Sequence, residues 1–179
     1  MSTFWNSLRL GIVVSALTLP AVAQEATRTA TATFVDNTGA EIGEATLMDA
    51  NVGVLIRLTL DNVPPGWHAI HIHEIGNCDD HESLKNSGGH HNVFERAHGL
   101  LNPDGPDNAD LPNVYAHSDG TVRAELLTPL VSLGGPDRPA ILDYDGSALV
   151  MHTNPDDHVT QPIGGAGARI ACGVIKAAE

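Results

Sequence analysis

Aromatic residues, basic residues and cysteines are all scarce in this chain. Aromatic side chains make up 4% of the 179 residues, so aliphatic side chains must form any core. Nine basic residues stand against 22 acidic ones, and the formal net charge is −13. This charge makes nucleic acid and anionic membrane surfaces poor partners. Beyond the amino-terminal region, no run of residues is long and apolar enough to span a bilayer.

The first 23 residues have the pattern of an export signal. Arg9 is followed by the apolar run Leu10–Leu19 and by the small-x-small cleavage site Ala21–Ala23. We therefore expect a leader over residues 1–23, one mature domain over residues 24–179, and a periplasmic or secreted product. A membrane anchor is the alternative, although the apolar run is short for a transmembrane helix.

The two cysteines, Cys78 and Cys172, favour a single disulfide bond in an exported protein. Such a bond closes a loop of about 95 residues and adds about 4 to 5 kcal/mol of stability in the chain-entropy account. Two buried free thiols are one alternative. A pair of thiolate metal ligands is the other, and it is disfavoured because neither cysteine has a cysteine neighbour.

Alternating apolar and polar residues predict an all-β fold made of short strands, with no helix. The predicted strands are Thr27–Val35, Glu41–Met48, Val54–Leu60, Trp67–Glu74, Val114–His117, Thr121–Leu126, Ala140–Leu142, Ser147–His152 and Arg169–Ile175. Two long irregular segments, Ile75–Asn113 and Thr153–Gly167, interrupt them. Long segments of this kind are usually functional. The pattern predicts an antiparallel sandwich or barrel with two functional loops.

One predicted strand places two histidines side by side. Residues two apart on a strand share a face, so His71 and His73 project together while Ile70 and Ile72 face the core. These two rings form half of a metal site. The candidates for the other half are His90, His98 and His152. Imidazole suits copper and zinc, which indicates redox or Lewis-acid chemistry.

Several motifs together resemble the copper-zinc superoxide dismutase family, in its bacterial exported form. They occur in the family's order across nearly all of the predicted mature chain. The motifs are Gly66-x-His68-x-x-His71-Ile72-His73-Glu74, Gly76-Asn77-Cys78, Gly88-Gly89-His90-x-Asn92, His98-Gly99, Asp110-Leu111-Pro112-Asn113, Asp119-Gly120, Met151-His152 and the block from Gly164 to Ile175.

The resemblance implies a Greek-key antiparallel β-sandwich of immunoglobulin-like architecture. It implies one copper per subunit, held by His71, His73, His90 and His152. It also implies one zinc per subunit, bridged to copper by His90 and held by His98 and Asp110. Asp156 then links a copper histidine to a zinc histidine. Arg169 attracts the substrate anion, and Cys78 pairs with Cys172.

This sequence departs from the family at one zinc ligand. A further zinc histidine stands three residues before the zinc aspartate in the family, and here that position is Asp107. The expected zinc set is then His90, His98, Asp107 and Asp110. Zinc accepts carboxylate oxygen, but the second carboxylate leaves zinc occupancy open. His91, His117 or His158 could replace the missing histidine if a loop folds differently.

The implied function is disproportionation of superoxide to dioxygen and hydrogen peroxide by a one-electron copper cycle, in which His90 carries a proton. Two alternatives stay open: a copper-binding carrier without turnover, and a copper-only enzyme with a degraded zinc site. A homodimer is one candidate for the oligomeric state. The segment Thr153–Gly167 contains no lysine or arginine, which predicts weak steering of the anion.

The remaining histidines have no assigned role in the metal site. His68 lies on the Ile70 side of its strand, so we expect it to face away from the metals. Four others are expected to face solvent: His81, His91, His117 and His158.

Overall fold

The computed structural model describes residue 1 and residues 27–178. Apart from Met1, the predicted leader with its cleavage site lies outside the described residues. In the described part of the chain, no helix is long and apolar enough to cross a membrane.

Nine β-strands form the framework, and the remaining regular structure described is one turn of 3-10 helix at Lys85–Ser87. The strands are β1 (Thr29–Asp36), β2 (Glu41–Ala50), β3 (Gly53–Leu60), β4 (Gly66–His68), β5 (Ile70–His73), β6 (Val114–Ala116), β7 (Val122–Thr128), β8 (Ala148–His152) and β9 (Arg169–Ala177).

Seven strands form one curled sheet in the order β5-β8-β9-β1-β2-β3-β7, and β4 pairs with β6 in a separate two-stranded sheet. Every strand pair is antiparallel. The chain leaves β7 at one edge and returns at β8, beside the other edge, so this connection crosses the whole fold. This architecture confirms the predicted all-β class.

The core is almost entirely aliphatic, as the shortage of aromatics predicts. On β3, for example, Val54, Ile56, Leu58 and Leu60 alternate with more exposed residues and are at most 1% exposed. Phe34 is the one aromatic residue among the buried hydrophobic side chains of the described region. Apolar burial of this extent is the main stabilising contribution to the sheet.

Two strand predictions are wrong in detail. Ala140–Leu142 forms no strand, because its pairing is limited to a single parallel bridge between Ser132 and Ala140. The predicted strand Trp67–Glu74 is interrupted at Ala69. There the chain passes from the β4–β6 sheet to the edge of the main sheet. Ala69 instead donates its amide to the carbonyl of Asn154.

Candidate metal centre

The edge strand β5 brings the two halves of the site together. Its neighbour β8 ends at His152, so that residue lies near the paired residues of β5. Two isolated bridges attach the long loop as well, one from His73 to His90 and one from His71 to Asp110. The predicted residues therefore converge although the sequence separates them widely.

Four histidine nitrogens form what we call the nitrogen cluster: Nδ1 of His71 and Nε2 of His73, His90 and His152. All four are buried and have no hydrogen-bond partner. Ligand atoms of His71, His73 and His152 lie within 4.8 Å of one another. The rings of His71 and His90 are 4.3 Å apart between centroids.

The hydrogen bonds on the opposite ring atoms explain why these four nitrogens are free. Nδ1 of His73 donates to the carbonyl of Gly88 at 3.0 Å, and Nδ1 of His152 donates to that of Gly167 at 3.2 Å. A carbonyl oxygen only accepts, so the ring proton lies on Nδ1 and the lone pair lies on Nε2. Such second contacts orient metal-binding histidines.

His71 and His90 are oriented by carboxylates instead. Nε2 of His71 lies 2.9 Å from Oδ2 of Asp156, and Nδ1 of His90 lies 2.9 Å from Oδ2 of Asp107. The lone pairs of His71 Nδ1 and His90 Nε2 therefore remain available. Four unsatisfied lone pairs in a buried space are costly unless a cation binds them.

Burial keeps three of the four histidines in the nitrogen cluster uncharged. It lowers the pKa of His73 well below its ordinary value, and the nearby Arg169 adds to this effect. Burial, with repulsion from His71, lowers the pKa of His152 to about 3. Burial also lowers the pKa of His71, against the opposing effect of its hydrogen bond to Asp156. Neutral imidazole is the form that binds a metal.

A second group of side chains forms what we call the mixed cluster: Nδ1 of His90, Nδ1 of His98, and the carboxylates of Asp107 and Asp110. Their ligand atoms lie within 4.8 Å of one another. Nδ1 of His98 is 2.6 Å from Oδ1 of Asp110 and 3.9 Å from Oδ2 of Asp107. Asp107 thus lies among the residues of the expected zinc set.

Asp156 connects the two clusters. Its Oδ2 contacts Nε2 of His71 at 2.9 Å, and its Oδ1 contacts Nε2 of His98 at 3.1 Å. Asn113 fixes this segment, because its side chain bonds both the amide and the carbonyl of Asp156, each at 2.8 Å. Gly164 is required beside it, since a Cβ there would lie 1.6 Å from Oδ1 of Asp156.

The mixed cluster differs electrostatically from the nitrogen cluster. Burial opposes protonation of His98, but hydrogen bonds to Asp110 and Asp156 raise its pKa to about 10. The pKa values of Asp110 and Asp156 are lowered. Burial alone would raise them, but the hydrogen bonds that these carboxylates accept outweigh the effect of burial. In the absence of metal, His98 therefore carries a proton where a cation could bind.

Arg169 borders the nitrogen cluster. Its Nη1 donates to the carbonyl of Leu84 and its Nη2 to that of Gly88, both at 2.7 Å, which fixes the guanidinium. A cavity of about 410 Å³ is lined by Arg169 together with His73, His90 and His152. A small anion entering this cavity therefore meets a positive charge and the imidazoles together.

The two cysteines form the predicted disulfide. Cys78 and Cys172 are bonded, with a Cα–Cα distance of 5.8 Å, and neither is a free thiol. The free-thiol and thiolate-ligand alternatives are therefore excluded. The bond joins the loop that carries Leu84 and Gly88 to the strand that carries Arg169.

The other histidines correct part of the sequence interpretation. His68 has the expected structural role, since its ring nitrogens contact the carbonyls of His152 and Pro64 at 2.8 and 2.7 Å. His81 and His117 are exposed, as expected. His91 is 3% exposed, so its predicted solvent exposure is wrong.

His158 is half-buried beside Asn113 and Asp156, rather than fully exposed. None of His91, His117 and His158 joins a metal-binding group in residues 27–178. The sequence interpretation missed the role of Asn113. The motif Asp110-Leu111-Pro112-Asn113 marked its position, but nothing in the sequence shows that it contacts Asp156.

The curled antiparallel sheet forms a half-barrel that carries two adjoining clusters able to hold metal ions. The family model described as copper/zinc superoxide dismutase matches residues 19–175. The chain therefore belongs to the copper/zinc superoxide dismutase family, a family of oxidoreductases that use copper and zinc.

Individual relatives agree with this membership. The chain is 54% identical to the copper-zinc superoxide dismutase of Caulobacter vibrioides over 149 residues, covering 82% of this chain and 85% of the relative. It is 45% identical to copper-zinc superoxide dismutase 1 of Aquifex aeolicus, covering 81% and 86%.

Solved structures show the same fold. A superoxide dismutase-like protein from Bacillus subtilis superposes with a TM-score of 0.76 at 34% identity, covering 80% of this chain and 95% of that one. The Cu/Zn superoxide dismutase from Brucella abortus gives 0.67 at 27% identity, covering 83% and 99%.

Proposed function

We propose that this protein is an exported superoxide dismutase, with one copper in the nitrogen cluster and one zinc in the mixed cluster. A single observation carries the proposal: four buried imidazole nitrogens have no hydrogen-bond partner, and three of their rings line one cavity together with Arg169. A carrier needs the imidazoles but has no use for an anion-attracting arginine in the same cavity.

The proposed ligands suit the metals. Copper(II) and copper(I) both accept imidazole nitrogen, and zinc accepts nitrogen with carboxylate oxygen. Copper supplies one-electron exchange between its two oxidation states, which balances the conversion of two superoxide ions and two protons into dioxygen and hydrogen peroxide.

The side chains then have separate tasks. Arg169, fixed by the carbonyls of Leu84 and Gly88, attracts the anion into the cavity. His90 is positioned to carry a proton at Nε2, because Nδ1 contacts Asp107 and Nε2 has no hydrogen-bond partner. Asp156 holds the rings of His71 and His98 in place as a positioning residue.

Asp107 makes the proposed zinc set two nitrogens and two oxygens. The second carboxylate adds negative charge near His90 and replaces a ligand of borderline softness. We expect this set to bind zinc less selectively than a set with three histidines. A copper-only enzyme is the second candidate, and the presence of Asp107 is the observation that favours it.

The export assignment rests on the leader pattern and on the disulfide, which is typical of oxidising compartments. It gives a mature domain over residues 24–179 in the periplasm or outside the cell. Sequencing the amino terminus of protein from a periplasmic extract tests it. The homodimer stays a prediction, and sedimentation of the purified protein tests it.

The test of function combines metal analysis with a superoxide-consumption assay on metal-free protein reloaded with copper, zinc or both. We expect activity only with copper, one copper and one zinc per chain, and highest activity with both metals. Full activity with copper alone would support the copper-only enzyme. Tight copper binding without superoxide consumption would support the carrier.

A further inference from the structure

The cavity beside the nitrogen cluster has a second basic residue in its wall. Arg96 lines the cavity together with Arg169, and no other lysine or arginine among residues 27–178 does so. Arg96 belongs to the loop between His90 and His98. The segment Thr153–Gly167, which contains no lysine or arginine, forms a different part of the wall.

The charge of Arg96 is not neutralised by a carboxylate. Arg28, Arg57 and Arg123 each form an ion pair, whereas Arg96 forms none among the described residues. Its guanidinium instead donates through Nη2 to the carbonyl of Gly105. The side chain is exposed, so its field reaches the solvent in front of the cavity.

The backbone of Arg96 is held in place by one neighbouring side chain. The amide of Arg96 donates to Oδ1 of Asn92 at 3.1 Å, and Nδ2 of Asn92 donates to the carbonyl of Arg96 at 2.8 Å. The backbone of Arg96 is therefore held in place at the cavity wall. Asp107 lines the same cavity, and its carboxylate opposes the positive charge of Arg96.

We propose that Arg96 is a second anion-guiding residue, which works with Arg169 to draw superoxide into the cavity. This inference rests on the proposed function. An anion approaching a protein of net charge −13 is repelled at long range, so local positive charges decide how fast it arrives. The consequence is steering that depends on salt, contrary to the weak steering predicted from Thr153–Gly167.

The test compares Arg96→Gln with Arg138→Gln in the copper- and zinc-loaded protein. Arg138 is a matched control because it also donates to one backbone carbonyl, that of Pro129, and does not line the cavity. Both variants change the net charge equally. We expect Arg96→Gln to lower kcat/KM for superoxide about threefold at low ionic strength, with Arg138→Gln unchanged.

Ionic strength separates guidance from structural damage. Raising it from about 0.01 M to about 0.15 M shortens the Debye length from about 30 to about 8 Å, so the deficit of Arg96→Gln should shrink. Arg96→Lys keeps the charge without the guanidinium geometry, so it should restore the rate. Azide titration of the copper(II) protein, followed by visible absorption, should show weaker azide binding for Arg96→Gln alone.

Each outcome points to one conclusion. A deficit that persists at high salt and is shared by Arg96→Lys would mean that the contact with Gly105 matters and the charge does not, which overturns the inference. Equal rates and azide affinities for Arg96→Gln and wild type would overturn it as well. If wild type itself consumed no superoxide, the proposed function would fail, a result separate from either of these.

Discussion

The nitrogen cluster and the mixed cluster lie side by side and share His90, yet they have opposite electrostatics. Burial among other imidazoles holds three histidines of the nitrogen cluster neutral. In the mixed cluster, the carboxylates of Asp110 and Asp156 raise the pKa of His98 to about 10. One residue type thus has two protonation states a few ångströms apart, depending on whether its neighbours are imidazoles or carboxylates.

This difference explains why the two clusters suit different cations. The neutral imidazoles offer lone pairs without charge, which suits a metal that changes its oxidation state. The carboxylates supply negative charge to a metal that stays divalent. It also shows that a cation entering the mixed cluster must displace a proton, whereas one entering the nitrogen cluster does not.

The largest expected effect comes from removing one ring of the nitrogen cluster. We expect His73→Gln to lose copper and at least about 100-fold of the superoxide-consuming activity, because one of four lone pairs disappears. Copper content and rate are the measurements. His117→Gln, at an exposed histidine, is the control and should keep both. Retained copper and rate in His73→Gln would contradict the ligand assignment.

Breaking the link between the clusters should have the next largest effect. Asp156→Asn replaces one carboxylate oxygen that contacts His71 or His98 by an amide that cannot accept. We expect about 10- to 100-fold weaker zinc retention, as for other residues that orient metal ligands. Zinc release to a chelator measures it. Asp157→Asn, an exposed neighbour, is the control, and equal zinc release from both variants would refute the bridging role.

Asp107→His makes the mixed cluster more similar to the nitrogen cluster. We expect zinc affinity to rise about tenfold, since imidazole replaces a carboxylate and removes a negative charge near His90. Competition with a chromogenic chelator measures the affinity. Asp104→His, at an exposed position of the same loop, is the control. Unchanged zinc affinity would mean that Asp107 contributes no more than a solvated loop residue.

The smallest effect, and the most direct test of the contrast, is the pH dependence of the unfolding free energy of the metal-free protein. The lowered pKa of His152, about 3, means that stability is lost as pH falls from the unfolded value of 6.5 to about 3, by about 1.4 kcal/mol per pH unit.

His98 acts in the opposite direction. Its raised pKa, about 10, gives stability that is complete below pH 6.5 and is lost as pH rises through 10. We therefore expect the unfolding free energy of the metal-free protein, measured by urea denaturation, to be greatest near neutral pH. A stability that rises steadily from acid to alkaline pH would contradict the protonated state of His98.

Sequence patterns alone predicted most of the strands and the shared face of the histidine pair, because side-chain alternation is a local property. Val54 to Leu60 shows this clearly, since every second residue is buried as predicted. The break at Ala69 was not predictable in this way. It depends on a hydrogen bond to Asn154, a residue 85 positions away, and no local pattern encodes that partner.

The sequence by itself determined the aliphatic core, the disulfide partners and the types of ligand available, because composition and alternation fix what can be buried and what can bind. Only the tertiary structure decided which nitrogen of each histidine is free, because that depends on distant carbonyls such as those of Gly88 and Gly167. It also decided that His91 is buried and that Arg96 reaches the cavity, since both follow from how the long loop packs against β5.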